Sequence, residues 1–201
     1  MIRRPPRSTQ GVSSAASDVY KRQSIAFADR EFEVPISIAT GILVKDALTE
    51  IFNQSSIKLK WPNDLVFKKK KIGGILVEKE VFANYTKAIV GIGINLELDE
   101  KESWWGDFKD LNGKNLRDKI INKILMKFEI LLKNGLDDWK SLWSQSCIHN
   151  DAIISVARND EIIKGKYLGL NDAGELLLEK ETGNIISFSS GEVSIKGIYN
   201  S

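Results

Sequence analysis

Between Ile57 and Leu96 the chain repeatedly alternates apolar residues with polar ones or glycine, and this constrains the fold more than any other feature. Ile57-Leu59-Trp61 is one such run, Ile72, Ile75 and Val77 form another, and Ala88 to Leu96 a third. Period-two alternation describes half-buried strands, so this region reads as a sheet. Lys60, Asp64, Lys71 and the pair Gly73-Gly74 are not required by that pattern. They read as a site laid over it.

Two separated lysines, a carboxylate and a glycine pair suit acyl adenylation, in which a substrate carboxylate attacks the α-phosphate of a nucleoside triphosphate. Two anions must meet there, so cations have to neutralise both. Glycines let a backbone pass close to a flat or charged ligand. In Ala88-Ile89-Val90-Gly91-Ile92-Gly93-Ile94-Asn95 the alternation sets Gly91, Gly93 and Asn95 on one face and Val90, Ile92 and Ile94 on the other. One face packs and the other is left bare. The dinucleotide fingerprint is not met, because it needs a further glycine opening a helix. Asp64 after Asn63 also fits simple turn chemistry, and Lys68, Lys69 and Lys70 read as a solvated hairpin tip.

Lys60-Trp61-Pro62-Asn63-Asp64, then Lys71-Ile72-Gly73-Gly74-Ile75-Leu76-Val77-Glu78, then Gly91-Ile92-Gly93-Ile94-Asn95 resemble, in order and spacing, the signatures of the biotin protein ligases. That resemblance runs from about Ser24 to the C-terminus. It implies that biotin and ATP form biotinyl-5′-adenylate, and that a lysine of the biotin carboxyl carrier protein, a subunit of acetyl-CoA carboxylase, takes the biotinyl group. It also implies roles. Lys71 is the catalytic residue and anchors the biotin carboxylate, Gly73 and Gly74 line the biotin side, and Lys60, Trp61, Asn63, Asp64, Gly91, Gly93 and Asn95 bind ATP. Asp64 is the candidate Mg2+ ligand. Glu78 holds the polar end of its strand. A lipoate protein ligase shares the fold and reaction type, but Trp61-Pro62 favours biotin, and a non-enzymatic interaction fragment is the alternative of another class. The resemblance leaves a homodimer open.

Residues 1–23, MIRRPPRSTQGVSSAASDVYKRQ, are basic, rich in serine and proline, and without hydrophobic period. A targeting peptide is one reading. The wording instead resembles translated sequencing-adapter text, which places these residues outside the fold. In the family, the segment before Ser24-Ile25-Ala26-Phe27 carries a flexible arginine- and glycine-rich loop over biotin, and Arg3-Arg4-Pro5-Pro6-Arg7 is no substitute. The chain as written is therefore expected to be a truncated ligase.

The remaining residues describe an ordinary globular protein. Of 201 residues, 42% are hydrophobic and 28% charged, and no run approaches the roughly 18 apolar residues of a membrane span. A net charge of +2 gives no argument for nucleic acid as a partner. Cys147 is the single cysteine, which excludes an internal disulfide and fits a reducing compartment, the cytoplasm. Cys147 and His149 lie too close in sequence for an ordinary catalytic pair and read as the end of a helix and the start of a linker.

The expected fold is α+β: a mixed sheet covered by helices, of the class II synthetase-like biotin/lipoate ligase type, in residues 24–149. A small SH3-like β-barrel follows in residues 150–201. Helices are expected from Pro35 to about Phe52, Lys114 to Lys133 and Leu136 to about Ser146. Strands are expected at about 57–61, 64–68, 71–80 and 86–96, with Trp104-Trp105 in a polar loop as a packing plug. Turns at Asn171 to Gly174 and Thr182 to Asn184 divide the short strands of the barrel. Gly169 to Leu178 and Gly191 to Ser194 resemble the C-terminal domain of the same ligases, which there assists ATP and carrier engagement. This chain is expected to bind ATP weakly and to form biotinyl-adenylate slowly or not at all. Adenylate trapping from labelled ATP checks it, and turnover at ordinary enzyme rates would contradict it.

Overall fold

The computed structural model describes residues 23–29, 34–83, 86–99, 102–158, 161–190 and 193–196. Residues 1–22, read above as lying outside the fold, are outside the described residues. Gln23, grouped with them by composition, opens strand β1 (Gln23–Asp29).

The first sheet has the order β1-β5-β4-β3-β2, with β2 (Lys58–Lys60), β3 (Asp64–Phe67), β4 (Lys70–Val81) and β5 (Thr86–Ile94). The expected mixed sheet is antiparallel in every described strand pairing. Short connections between consecutive strands permit no other arrangement, since a parallel pair needs a long crossover. Among the described residues parallel geometry occurs only as single bridges, Leu59 with Cys147 and Lys71 with Trp105. Lys68 and Lys69 turn the β3–β4 hairpin with positive φ, and they are exposed as the sequence suggested.

The β3–β4 register breaks once, and the break matters for the site. Leu65 lies opposite Gly73 but Val66 lies opposite Lys71, so Ile72 is an extra residue in β4. Such a bulge rotates the strand by one side-chain position. Ile72 and Ile75, an odd number of residues apart, are consequently both buried. Lys71 comes round to the face of Gly74 and Asp64.

Helix α1 (Ile36–Phe52) covers one face of this sheet. It is buried nearly all round, because α2 (Arg117–Asn134) packs on its outer side and α3 (Trp139–Ser146) beside it. The helices thus cover one face, and the other is left for the site. Both later helices start three residues beyond the expected positions. Gly113–Leu116 forms a 3-10 turn before α2, and α3 begins after Asp138.

The second sheet has the order β10-β6-β7-β8-β9, from β6 (Ile153–Arg158), β7 (Glu161–Leu170), β8 (Leu176–Glu179), β9 (Ile185–Phe188) and β10 (Val193–Lys196). All its pairings are antiparallel. β9 and β10 are its two edges, so the expected barrel is an open sheet among the described residues. Its apolar face, with Ile154, Val156, Tyr167, Leu176 and Phe188, joins the same buried cluster as α1 and α3.

The joint between the two parts is polar in one place. Trp143 Nε1 donates to Tyr167 Oη at 2.9 Å, and the His149 ring lies 5.6 Å from that of Tyr167. His149 is fully buried with no hydrogen-bond partner at either ring nitrogen, and the His149 backbone N–H donates to Cys147 Sγ. Burial pushes the Cys147 thiol up to about 11 and, with the nearby Lys60 ammonium, the His149 imidazole down to about 4. A thiol held protonated and an imidazole held neutral in a sealed joint form no nucleophilic pair.

That imidazole makes stability depend on pH. Unfolded His149 takes up its proton near its ordinary value of 6.5, and folded His149 only near 4, so the unfolded chain binds more protons between those limits. The contribution is complete above 6.5 and is lost as pH falls toward 4, by on the order of 3 kcal/mol. Urea unfolding at pH 7.5 and 4.5 should show His149→Leu losing less stability on acidification than the parent chain. Parallel losses would refute the assignment.

Candidate active site

The Lys60–Asp64 segment is a tight connection between two strands. Lys60 and Asp64 are paired across the β2–β3 hairpin, which places both side chains on one side of the sheet. Trp61 and Pro62 are joined by a cis peptide bond. Asn63 is tied to β4 twice: its carbonyl accepts from the Ile75 N–H at 2.9 Å, and its Nδ2 donates to the Ile75 carbonyl at 2.8 Å.

Asp64 then stands between two ammonium groups. Lys71 Nζ is 2.5 Å from Oδ1 and Lys60 Nζ is 3.7 Å from Oδ2. The Asp64 and Lys60 side chains are largely withdrawn from water, while that of Lys71 is one-third exposed. Among the described residues, two cations and one anion leave a local excess of positive charge, with the reachable ammonium at its edge. Such a site attracts an anionic ligand.

Beside it the sheet opens into a cleft of about 550 Å3, lined by Asn63, Lys71, Gly73, Gly74, Gly91, Gly93 and Asn95 from the expected set. The glycines do different work. A Cβ on Gly73 would lie 2.4 Å from the Gly93 carbonyl oxygen, so Gly73 permits the close approach of β4 and β5. A Cβ on Gly74 or Gly93 would meet nothing closer than 3.7 Å. These two leave open space above the sheet. Leu76, on the same face, is exposed in the cleft wall.

Asn95 is buried, and its Nδ2 donates to the Gly106 carbonyl at 3.0 Å. Its backbone N–H donates to the Ile72 carbonyl, and its carbonyl accepts from the Phe108 N–H. Asn95 therefore holds the 104–108 loop onto β4. In the same place Lys71 N–H donates to the Trp104 carbonyl and Gly106 N–H to that of Lys71. The loop carries Trp104 and Trp105, packed edge-on with centroids 5.4 Å apart, into the cleft wall. The expected packing plug is thus a wall of the site. The signal for it was two adjacent indoles in a polar segment, where no apolar period demands them.

Trp61, expected among the nucleotide contacts, does not line this cleft. It is buried, and its indole Nε1 donates to the Gly174 carbonyl at 3.0 Å, in the second sheet. The alternation Ile57-Leu59-Trp61 already aligned it with the core, and all three are buried. Glu78 is exposed at the far end of β4. Among the described residues no group of three or more His, Cys, Asp or Glu forms a metal centre.

The protein is thus an antiparallel sheet with one face under helices and the other opened by glycines beside a lysine–aspartate–lysine cluster. Residues 21–95 match the Biotin/lipoate A/B protein ligase family, and residues 153–196 match the Biotin protein ligase C terminal domain. The chain belongs to the biotin protein ligase family. It is 28% identical to the bifunctional ligase/repressor BirA of Salmonella typhimurium over 173 residues, covering 81% of this chain and 53% of that protein. The Bacillus spizizenii BirA is 30% identical over 138 residues, 62% of this chain and 42% of the relative. The chain thus spans about half the length of the curated relatives it matches. A mutant biotin protein ligase from Aquifex aeolicus in complex with biotin superposes with TM-score 0.68 at 26% identity, over 87% of this chain and 77% of that one. The Aquifex aeolicus ligase in complex with biotin and ATP gives 0.65 at 26% identity, over 87% and 78%.

Separate roles for the glycines predict separate phenotypes. Gly73→Ala should destabilise the fold by about 1–3 kcal/mol through forced strand separation, read as a lower urea midpoint. Gly74→Val should leave that midpoint nearly unchanged and abolish ligand binding in the cleft by isothermal titration. Equal effects of both on stability would count against the division.

Proposed function

We propose that the protein joins biotin to ATP in this cleft and passes the biotinyl group to a lysine of a biotin carboxyl carrier protein, in the cytoplasm. The observation that carries the reading is Lys71, held by Asp64 at the rim of a glycine-floored cleft. Residues 24–149 supply the catalytic core and residues 150–201, an SH3-like unit, support it. Relatives and solved neighbours named as biotin ligases, and the match of residues 153–196, support biotin over lipoate.

A carboxylate oxygen of biotin attacks the α-phosphorus of ATP. The bond to the β-phosphate oxygen breaks, and pyrophosphate leaves with that electron pair. Two anions meet in this step, and Lys71 stabilises the charge gathering at phosphorus while orienting the carboxylate. Lys60 and Asn63 stand behind it on the nucleotide side. Gly74, Gly91 and Gly93 give flat access, and Trp104 and Trp105 offer an apolar wall. In the second step the carrier lysine's neutral amine attacks the acyl carbon, and AMP and a proton are released.

Magnesium fits this arrangement as a companion of ATP. It characteristically binds one or two carboxylates together with substrate phosphates; Asp64, whose oxygens face Lys60 and Lys71, would be the one carboxylate to hold it, and the phosphates of ATP would supply most of its ligands. Its chemistry there would be to neutralise the leaving phosphates.

Removal of one charge-stabilising donor lowers rate by about two to three orders of magnitude. Lys71→Ala should slow biotinyl-adenylate formation by about that factor while circular dichroism stays unchanged. An unaltered rate would remove Lys71 from the mechanism. Titration with biotin and, separately, lipoate should give heat with biotin alone, and the reverse would move the protein to the lipoate ligases.

A further inference from the structure

Trp61 sits inside the site motif yet points out of the site. Its indole crosses to the second sheet and donates to the Gly174 carbonyl, 113 residues away in sequence. The turn that receives it is braced from within. Asn171 N–H donates to the Glu175 carbonyl, Gly174 N–H to that of Asn171, and Glu175 N–H to Asn171 Oδ1. Asn171 Nδ2 and Ser189 Oγ hold the two carboxylate oxygens of Glu175 at 2.7 and 2.9 Å. These bonds keep its carboxyl below the usual range.

The turn is also seated tightly on the first part of the molecule. Gly174 has φ of +77°, and a Cβ there would lie 2.8 Å from Pro35 Cβ and 3.3 Å from Ile38 Cγ1, at the start of α1. Only glycine satisfies both the backbone angle and the clearance. Trp61 is therefore gripped by a rigid feature whose position is fixed against α1.

The far end of the same short segment is pinned in the cleft. Asn63 exchanges two bonds with Ile75, and Asp64 follows at once, holding Lys71 at 2.5 Å. With both ends of residues 61–64 anchored, displacement of Trp61 has to be taken up at Asp64. The Lys71 stem is flexible and partly exposed, so Asp64 sets its direction.

We propose that Trp61 and Gly174 are positioning residues, through which the turn at residues 171–175 of the second sheet holds Asp64 in register with Lys71. The inference rests on the ligase reading only for its consequence in catalysis. The coupling itself is a property of the free protein, with nucleotide grip as its first effect.

Reductive methylation of the whole chain with 13C-formaldehyde places an NMR probe on Lys71, assigned by its absence in Lys71→Arg. Trp61→Phe removes the indole donor and Gly174→Ala displaces the turn. Both should move the Lys71 resonance toward its position in Asp64→Asn, and both should weaken ATP binding, by isothermal titration, about two- to tenfold, the size of one lost hydrogen bond. Val156→Ala weakens the second sheet away from the turn and should leave the resonance in place. The inference is overturned if folded Trp61→Phe leaves Lys71 unmoved, or if Val156→Ala moves it as far. Should either substitution prevent folding, Asn171→Ala, which removes only the brace of the turn, decides by the same readout. A parent chain that gives no heat with biotin, yet shows the expected resonance shifts, would defeat the ligase reading and uphold the coupling.

Discussion

The Asp64 carboxylate between two lysine ammonium groups is the interaction around which the site is organised. Two cations on one sheet face repel each other, and a single carboxylate with one oxygen toward each makes their approach tolerable. Partial burial strengthens the attraction relative to an exposed pair, while the remaining exposure of Lys71 lets a ligand anion join. A site built to bring anions together needs this imbalance. Full neutralisation would leave nothing to attract the substrate.

Backbone features rather than side-chain choice put those three groups together. The extra residue Ile72 turns β4 so that Lys71 shares a face with Gly74 and Asp64, and the same turn buries Ile72 in the core. Gly73 lets β4 and β5 close beside it. Asn95 closes the arrangement by binding the tryptophan loop to β4. Each device costs some regularity in the sheet. The helices on the opposite face supply the burial that offsets it, with α1 packed on both sides.

The second sheet belongs to the same physical unit as the first. Its apolar face completes the core around α3, the Trp143–Tyr167 bond lies in the joint, and Trp61 ties the site motif to the Asn171–Glu175 turn. Energetically the boundary is a buried surface, in which His149 lies without polar partners.

Alternation and motif spacing determined much of this protein: the strands from Ile57 to Leu96, the buried face of Val90 and Ile92, the solvated tip at Lys68 to Lys70, and the residues gathered at the cleft. These are legible because side-chain period and turn chemistry are local properties. Tertiary structure alone decided that the first sheet is antiparallel, that Trp61 is buried with its indole on the Gly174 carbonyl, and that Trp104 and Trp105 line the cleft. It also decided which glycine is needed for packing and which for space. Those outcomes depend on what a residue meets across the fold, as Trp61 meets Gly174 and Gly73 meets Gly93, and no pattern within one segment records its distant partner.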